Sequence, residues 1–256
     1  MELTRRQFLD RTLAVAAGAV IAAGPKTAAA ASPFKAVAFD AFPIFDPRSI
    51  DSVAETVFPG KGAALAAAWR SRQFEYQWLR ALSGNYADFW KTTDDALTFA
   101  CESVRVDLDA SKRDRLMNAY VSLKAWPDVT EALAALKSAG LRLAFLSNMT
   151  RAMLDANIRS AGLVGMFDEV LSTDPIRAYK PDPRAYRIGL EALALERNEV
   201  LYVAFAGWDA AGAKTFGYPT CWLNRTHAPP ERLGAEPDMT GASLGEVVAF
   251  VERSRR

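Results

Sequence analysis

Five short apolar runs along the chain predict the strands of one sheet. They cover residues 34–39, 141–146, 167–172, 200–205 and 219–223. Each run is flanked by polar or turn-forming residues, and a continuous apolar run of this length is typical of a strand buried on both faces of a parallel sheet. The pattern therefore predicts an α/β protein with a parallel sheet.

Helical patterns fill the intervals between these runs. Apolar residues recur at spacings of three and four through 49–126, which predicts an all-α segment after the first strand. Repeated strand–helix units indicate a doubly wound sheet. We therefore expect a core domain formed by 33–46 and 127–256, with an all-α cap domain at 47–126. Shorter helices are predicted at 131–139, 152–161 and 186–194.

Composition narrows the functional classes. Hydrophobic residues make up 50% of the 256 residues, which is enough for a sizeable core. The 31 basic and 30 acidic side chains leave a net charge of +1, so neither nucleic acid nor an anionic membrane surface is expected as the main partner. The single histidine, His227, lies in a turn-like stretch. That argues against a serine–histidine pair and against a multi-histidine metal centre.

Residues 1–31 are similar to a bacterial twin-arginine export signal. Arg5 and Arg6 precede an apolar stretch at 13–24, and a run of small residues follows at 28–31. A short membrane anchor or a chance basic start are the alternatives. The apolar stretch is shorter than the roughly 20 residues that span a bilayer. We therefore expect cleavage after the small-residue run and a periplasmic mature protein without a membrane span.

Four polar side chains lie at or just beyond the ends of predicted strands. They are Asp40, Ser147, Lys180 and Asp209. In open α/β sheets, ligands bind beyond the carboxyl ends of the strands, so we expect these side chains to line one crevice. A nearby ammonium would keep Asp40 ionised, and an ionised carboxylate can act as a nucleophile. Taken alone, Asp40 could equally be a turn acid or a helix cap.

A set of motifs in a fixed order connects these positions to a known family. The motifs are Trp69-Arg70, Glu75-Tyr76, Trp78-Leu79-Arg80, Asp94-Asp95-Ala96-Leu97, Leu146-Ser147-Asn148, Tyr179-Lys180-Pro181-Asp182, Trp208-Asp209 and Phe216-Gly217-Tyr218-Pro219-Thr220-Cys221-Trp222. Each motif is weak by itself, but the order and spacing are specific. From residue 34 to about residue 250 the chain resembles the haloacid dehalogenase superfamily, and within it the type II branch, the (S)-2-haloacid dehalogenases.

The resemblance implies how the first half of a reaction would run. Asp40 would attack the α-carbon of a small 2-haloalkanoate and displace the halide with inversion, which forms an ester. Arg70, taken to stand at the start of the cap helix, would receive the halide together with Asn148. Backbone amides after Asp40 and around Ser147 would hold the substrate carboxylate.

The second half, by the same resemblance, hydrolyses the ester. Water would attack the Asp40 carbonyl, supported by Lys180, Ser147 and Asp209. Tyr186 would assist by a hydrogen bond near Lys180, although a packing role is equally compatible with its position. No cofactor is implied. A homodimer through the cap helices is implied as well, but an apolar cap stripe could instead pack on the core domain.

Phe42 distinguishes this reaction from phosphate hydrolysis. Phosphatases of the superfamily resemble one another in having a second acidic residue at this position, which protonates the leaving group. A phenylalanine cannot do this. The stretch 204–209 holds a single acid, whereas a hard cation needs several oxygen ligands, so no metal site is expected. Four aromatic residues suit a small, partly apolar substrate, although any of them could belong to the core. They are Phe42, Phe74, Phe89 and Trp208.

Four positions depart from the family pattern. Pro43 and Ile44 stand where the family has glycine and threonine, which stiffens the turn and removes a hydroxyl. Ala204 and Ala206 replace a serine and an asparagine that in the family help to position the hydrolytic water and the aspartate. We therefore expect the alkylation half to be better preserved than the hydrolytic half. A hydrolase of drifted specificity, or a catalytically degenerate periplasmic small-anion-binding protein, are the alternative interpretations.

The expected compartment bears on the state of the two cysteines. An oxidising periplasm would permit a disulfide between Cys101 and Cys221. Each lies on an apolar face of its predicted element, so we expect two buried free thiols.

Overall fold

The computed structural model describes residues 33–255, so the predicted export signal at 1–31 lies outside it. The strands are β1 (Ala36–Phe39), β2 (Phe45–Asp46), β3 (Lys124–Ala125), β4 (Arg142–Ser147), β5 (Glu169–Ser172), β6 (Val200–Ala204), β7 (Thr220–Leu223) and β8 (Met239–Gly241). The helices are α1 (Arg48–Val57), α2 (Gly62–Leu82), α3 (Phe89–Val104), α4 (Ala110–Ala119), α5 (Val129–Ser138), α6 (Arg151–Ser160), α7 (Pro183–Leu193), α8 (Gly207–Phe216) and α9 (Leu244–Arg253), with 3-10 turns at Asp174–Ile176 and Arg197–Glu199.

The predicted α/β fold with a parallel sheet is confirmed. Six strands pair in the order β5-β4-β1-β6-β7-β8, and every pairing among them is parallel. Strand β1 lies inside the sheet, with Phe39 opposite Phe145 on one side and opposite Val203 on the other. The residue that follows Phe39 therefore leaves the sheet between two neighbouring strands, at its carboxyl edge.

Helices cover both faces of this sheet, which explains why its inner strands are largely apolar. Val37 and Phe39 belong to one buried cluster, and the alternate residues Ala36 and Ala38 belong to the other. Because successive side chains of a strand point to opposite faces, both faces must be buried. Helices α5 and α9 contribute buried residues to the first cluster, and helices α7 and α8 contribute buried residues to the second.

Four consecutive helices, α1 to α4, lie between β2 and β3. Aspartates cap two of them: Asp88 accepts a hydrogen bond from the Lys91 amide and Asp109 from the Lys112 amide. The prediction of helix through 49–126 was wrong at its end. Helix α4 ends at Ala119, and β3 pairs antiparallel with β2 in a separate two-stranded sheet.

Strand β8 and helix α9 are the last elements of the described residues. Strand β8 and helix α9 were not singled out in the sequence, although Ser243 and Glu246 form a capping box at the start of α9.

Cys101 and Cys221 are buried free thiols, as predicted, and burial raises the pKa of Cys101 to about 11 and of Cys221 to about 12. Within residues 33–255, no helix has the length and apolar character needed to cross a membrane.

Candidate active site

The carboxyl edge of the sheet brings the four predicted strand-end residues together. Asp40 follows β1 directly and Ser147 is the last residue of β4. Asp209 lies in the first turn of α8, just after β6, and Lys180 lies on the segment between β5 and α7. Sequence spacing alone could place them only at one edge, whereas the structure puts three of them in direct contact.

Lys180 stands at the centre of this contact. Its side chain is 1% exposed, and its Nζ donates to Asp40 Oδ1 at 2.8 Å and to Asp209 Oδ2 at 2.8 Å. A third bond runs from Nζ to the hydroxyl of Tyr202 at 2.7 Å. Burial lowers the pKa of Lys180, but the two carboxylates outweigh burial and the net shift is upward. The lysine is therefore a fixed cation with every proton assigned to an acceptor.

Asp40 is oriented from both sides yet remains accessible. Its side chain is 13% exposed and borders a cavity. Lys180 holds Oδ1, and the backbone N–H of Phe42 donates to Oδ2 at 3.2 Å. A carboxylate fixed in this way presents an oxygen to the cavity, which is the geometry that a nucleophile requires.

Asp209 is more deeply buried and accepts more bonds. Its side chain is 2% exposed. Tyr186 donates to Oδ1 at 2.8 Å, while Lys180 and Tyr202 donate to Oδ2 at 2.8 and 2.9 Å. Burial raises the pKa of Asp209, and the nearby charge of Asp40 acts in the same direction against the opposing effect of Lys180. A carboxylate with a raised pKa beside a nucleophile can serve as a general base.

The cavity above Asp40 is small and largely aromatic. Its volume is about 240 Å³. Residues at the sheet edge and in helices α2 and α3 border it, so the cavity lies between the sheet edge and these helices. The predicted aromatic residues all border this space: Phe42, Phe74, Phe89 and Trp208. Phe74 also contacts Trp208 edge-on, with ring centroids 5.5 Å apart, so the wall is a packed aromatic surface rather than loose side chains.

Arg70 borders the same cavity, but its setting differs from the prediction. It lies inside α2 rather than at the start of a cap helix, so that part of the prediction was wrong. Its Nη2 is 2.7 Å from Asp51 Oδ1, and the two side chains are 46% and 41% exposed. The guanidinium is thus shared between the cavity and a surface ion pair.

Asn148 and Tyr186 have buried hydrogen-bond partners. Asn148 accepts from the Lys180 backbone N–H at 2.9 Å and donates to Gln77 Oε1 at 3.1 Å, while bordering the cavity. Tyr186 is fully buried and its hydroxyl donates to Asp209. The structure therefore places Tyr186 behind the carboxylate, where it orients Asp209.

The unusual turn after Asp40 is held by side chains from elsewhere in the chain. Ile44 is fully buried, and the carbonyls of the turn accept hydrogen bonds from two distant side chains. Trp126 Nε1 donates to the Phe42 carbonyl at 2.9 Å, and Arg225 Nη2 donates to the Pro43 carbonyl at 3.2 Å. These contacts fix the backbone that presents the Phe42 amide to Asp40, in the absence of a hydroxyl at residue 44.

Sequence reasoning missed three polar residues near the site. Gln73 borders the cavity, and Gln77 is fully buried against Asn148. Their spacing of four within α2 places both on the buried face, so two amides at core-facing helix positions were the available signal. Tyr202 gave a weaker signal, since a tyrosine in an apolar strand is normally a packing residue.

The described residues do not suit a metal centre. Within 33–255 there is no group of three histidine, cysteine, aspartate or glutamate side chains placed to hold an ion. The two carboxylates that a divalent cation would have to bridge, Asp40 and Asp209, are already bridged by the Lys180 ammonium. Phe42, two residues after Asp40, adds no carboxylate to them. This donor set fits an internal cation and not a hard metal ion.

Comparison with known proteins agrees with this geometry. Residues 11–217 match the family of haloacid dehalogenase-like hydrolases. The chain is 43% identical over 219 residues to the (S)-2-haloacid dehalogenase of Pseudomonas sp. (strain YL), covering 85% of this chain and 94% of that protein. This chain belongs to the haloacid dehalogenase-like hydrolase family.

Two solved structures of dehalogenases are also similar. The crystal structure of the L-2-haloacid dehalogenase RSc1362 superposes with a TM-score of 0.84 at 40% identity, covering 86% of this chain and 99% of that one. The L-2-haloacid dehalogenase of Xanthobacter autotrophicus with chloropropionic acid covalently bound has a TM-score of 0.77 at 36% identity, covering 85% and 98%.

Proposed function

We propose that this protein hydrolyses the carbon–halogen bond of small (S)-2-haloalkanoates through an ester on Asp40. One observation carries the proposal: a partly exposed Asp40, held by the Lys180 ammonium, faces a small aromatic cavity in which the neighbouring residue Phe42 brings no second carboxylate. Dehalogenase relatives at about 40% identity over most of the chain support the same substrate class.

The first step forms one bond and breaks another. A carboxylate oxygen of Asp40 attacks the α-carbon, the carbon–halogen bond breaks with inversion, and the halide leaves with the bonding electrons. Arg70 and Asn148, which both border the cavity, would stabilise the departing halide. Lys180 holds the nucleophile in position through its bond to Asp40 Oδ1.

The second step regenerates Asp40. A water molecule adds to the Asp40 carbonyl carbon, the bond from that carbon to the alkyl oxygen breaks, and a 2-hydroxyalkanoate leaves. Asp209, with its raised pKa, accepts one proton of the water and passes it to the departing alkyl oxygen, and the second proton of the water is released to solvent as Asp40 returns to its carboxylate form. Asp209 Oδ1 accepts only the Tyr186 bond among the hydrogen bonds of the described residues, which leaves it room for a water proton.

The decisive experiment follows both half-reactions on one sample. The protein is incubated with (S)-2-chloropropionate, with the (R) enantiomer as the matched control, and halide release and intact protein mass are recorded together. Sustained release with the (S) enantiomer only is the expected result. A single burst with a persistent mass increase would mean alkylation without turnover, and neither release nor an adduct would contradict the proposal.

Asp40→Asn tests the nucleophile directly. An amide oxygen is a poor nucleophile, so we expect halide release to fall by at least about 10⁴-fold and no mass adduct to form. Asp46→Asn is the matched control, because Asp46 pairs with Arg48 away from Lys180. Retained activity in Asp40→Asn would overturn the assignment.

A second candidate function is binding of a small anion without turnover. The observations in its favour are the alanines at 204 and 206, which bring no polar group to the edge where water must act. Binding of (S)-2-chloropropionate with neither halide release nor a mass adduct would favour it over hydrolysis.

We further propose that the protein is exported to the periplasm through residues 1–31 and that helices α1 to α4 act as a cap over the site. The paired Arg5 and Arg6 before an apolar stretch support export. N-terminal sequencing of the protein from the bacterial periplasm should begin shortly after residue 31, and Arg5→Lys with Arg6→Lys should retain it in the cytoplasm. Cytoplasmic accumulation of the unaltered protein would contradict export.

The homodimer stays a prediction, which light scattering would test.

A further inference from the structure

We propose that Tyr202 is a positioning residue of this active site, and that its hydroxyl holds Lys180 and Asp209 in place in a site where residue 204 cannot. The inference rests on the proposed function for its kinetic consequences. Its structural basis is independent of any substrate.

The hydroxyl of Tyr202 makes two short contacts within the charged cluster. It accepts from Lys180 Nζ at 2.7 Å and donates to Asp209 Oδ2 at 2.9 Å. The same two residues also contact each other at 2.8 Å. The three groups therefore close a ring of hydrogen bonds, in which the neutral hydroxyl is oriented by a cation on one side and a carboxylate on the other.

The sheet provides the space for this tyrosine. Tyr202 lies in the middle of β6, opposite Ala38 on one neighbouring strand and Thr220 on the other. Ala38, Ala204 and Tyr202 belong to the same buried cluster, so small side chains flank the ring on its own face of the sheet. The ring also meets Tyr186 edge-on, with centroids 5.6 Å apart. Its orientation is set by packing, which is what a positioning residue needs.

The hydroxyl of Tyr202 supplies the third acceptor that the Lys180 ammonium needs. An ammonium has three protons, and those of Lys180 go to Asp40, Asp209 and Tyr202. Lys180 is almost completely buried, so a phenylalanine at 202 would leave one proton without an acceptor or force the ammonium to tilt away from Asp40. It would also remove one of the donors that hold the Asp209 carboxylate.

Position 204 lies on the same face of β6, two residues closer to the edge. Alternate residues of a strand share a face, and both residues belong to one cluster. Ala204 has no hydrogen-bonding side chain, so Tyr202 reaches past it from the middle of the strand to the charged cluster. A hydroxyl introduced at 204 should therefore replace part of what a Tyr202→Phe change removes.

The kinetic test compares Tyr202→Phe with the parent protein on (S)-2-chloropropionate. We expect kcat to fall about ten- to a hundredfold, the change that corresponds to losing one hydrogen bond to a charged group, with a much smaller change in KM. The group that titrates on the acid side is Asp209, which is faced by Lys180, Asp40, Tyr186 and Tyr202. Losing a donor to its ionised form raises its pKa, so the acid limb of kcat should move to higher pH.

Two further variants separate positioning from general damage. Tyr218→Phe removes another buried hydroxyl, which donates to the Tyr186 carbonyl at 2.8 Å from a ring stacked on Tyr202, and it should leave the acid limb in place. Ala204→Ser added to Tyr202→Phe should restore part of the lost kcat. An unchanged kcat and pH profile in Tyr202→Phe would overturn the proposal, as would an equal shift in Tyr218→Phe.

A substrate-free measurement keeps this proposal distinct from the proposed function. The titration of Asp209 is followed by carbon-13 NMR of labelled aspartate, assigned with Asp209→Asn. If the parent protein releases no halide, the proposed function fails, yet Tyr202→Phe should still raise the pKa of Asp209 and Tyr218→Phe should not. An Asp209 titration unchanged by Tyr202→Phe would overturn the positioning role whatever the substrate is.

Discussion

The two sides of the cavity hold their charged groups in opposite ways. On the core side, Lys180 and Asp209 are 1% and 2% exposed and have a partner for every proton of the ammonium. On the side of the proposed cap, formed by helices α1 to α4 and called the cap side below, Arg70 and Asp51 are 46% and 41% exposed and form a single ion pair. Buried charges are costly to leave unpaired, whereas an exposed pair is screened by water. The core side is therefore built to fix the chemistry, and the cap side can be altered with little cost to the fold.

The largest effect should come from removing the buried cation. Lys180→Met leaves Asp40 and Asp209 facing each other without a counter-charge, so we expect activity to be lost and the free energy of unfolding to fall by about 3–5 kcal/mol. Urea unfolding measures the loss. Lys214→Met is the control, since its pair with Asp238 is about one-third exposed and should contribute less than about 1 kcal/mol. Equal losses in the two variants would remove the distinction between buried and exposed charges.

An intermediate effect is expected from the arginine of the cap side. Arg70→Met should lower kcat/KM about ten- to a hundredfold, because the cavity loses its cation for the halide, while the thermal midpoint barely moves. The control is Arg72→Met on the same helix, where Arg72 pairs with Glu75. If Arg70→Met unfolded at a much lower temperature, the cap side would be structural and the comparison would fail.

The smallest effect should come from a polar group added at the core edge. Ala206 is the N-cap residue of α8, has an extended backbone and makes no side-chain capping bond. Ala206→Asn should accept a backbone hydrogen bond from the first turn and raise the free energy of unfolding by about 1 kcal/mol. Ala206→Val, whose side chain cannot accept a hydrogen bond, should bring no such gain. Chemical denaturation measures both, and no gain with asparagine would show that this edge cannot take a polar cap.

The fold could largely be predicted because its signals are local. The strand at 200–205 is seen as Val200–Ala204 and the strand at 141–146 as Arg142–Ser147, a shift of a residue at their ends. The helix predicted at 152–161 is seen as Arg151–Ser160. The two-stranded pair of β2 and β3 was missed, since strands of two residues carry no periodicity and form only by pairing across the whole inserted segment.

Part of the site could also be predicted from local signals. Asp40 and Ser147 follow apolar strands that the pattern reveals, so their place at the carboxyl edge follows from topology. Arg70 was placed at a helix start because the length of α2 is not visible in its uninterrupted alanine-rich sequence. Its ion pair with Asp51 joins two different helices and leaves no trace in local sequence.

The sequence by itself determined the parallel sheet, the inserted helices and a set of polar residues at strand ends, because burial periodicity and chain order dictate these features. Only the tertiary structure decided that Lys180 bridges Asp40 and Asp209 and that Tyr202 closes the ring around the ammonium. Those contacts depend on side-chain packing across strands β1 and β6 and helix α8. The physical reason is that a strand position specifies a face and an edge, whereas a hydrogen bond at 2.8 Å requires the relative placement of whole elements.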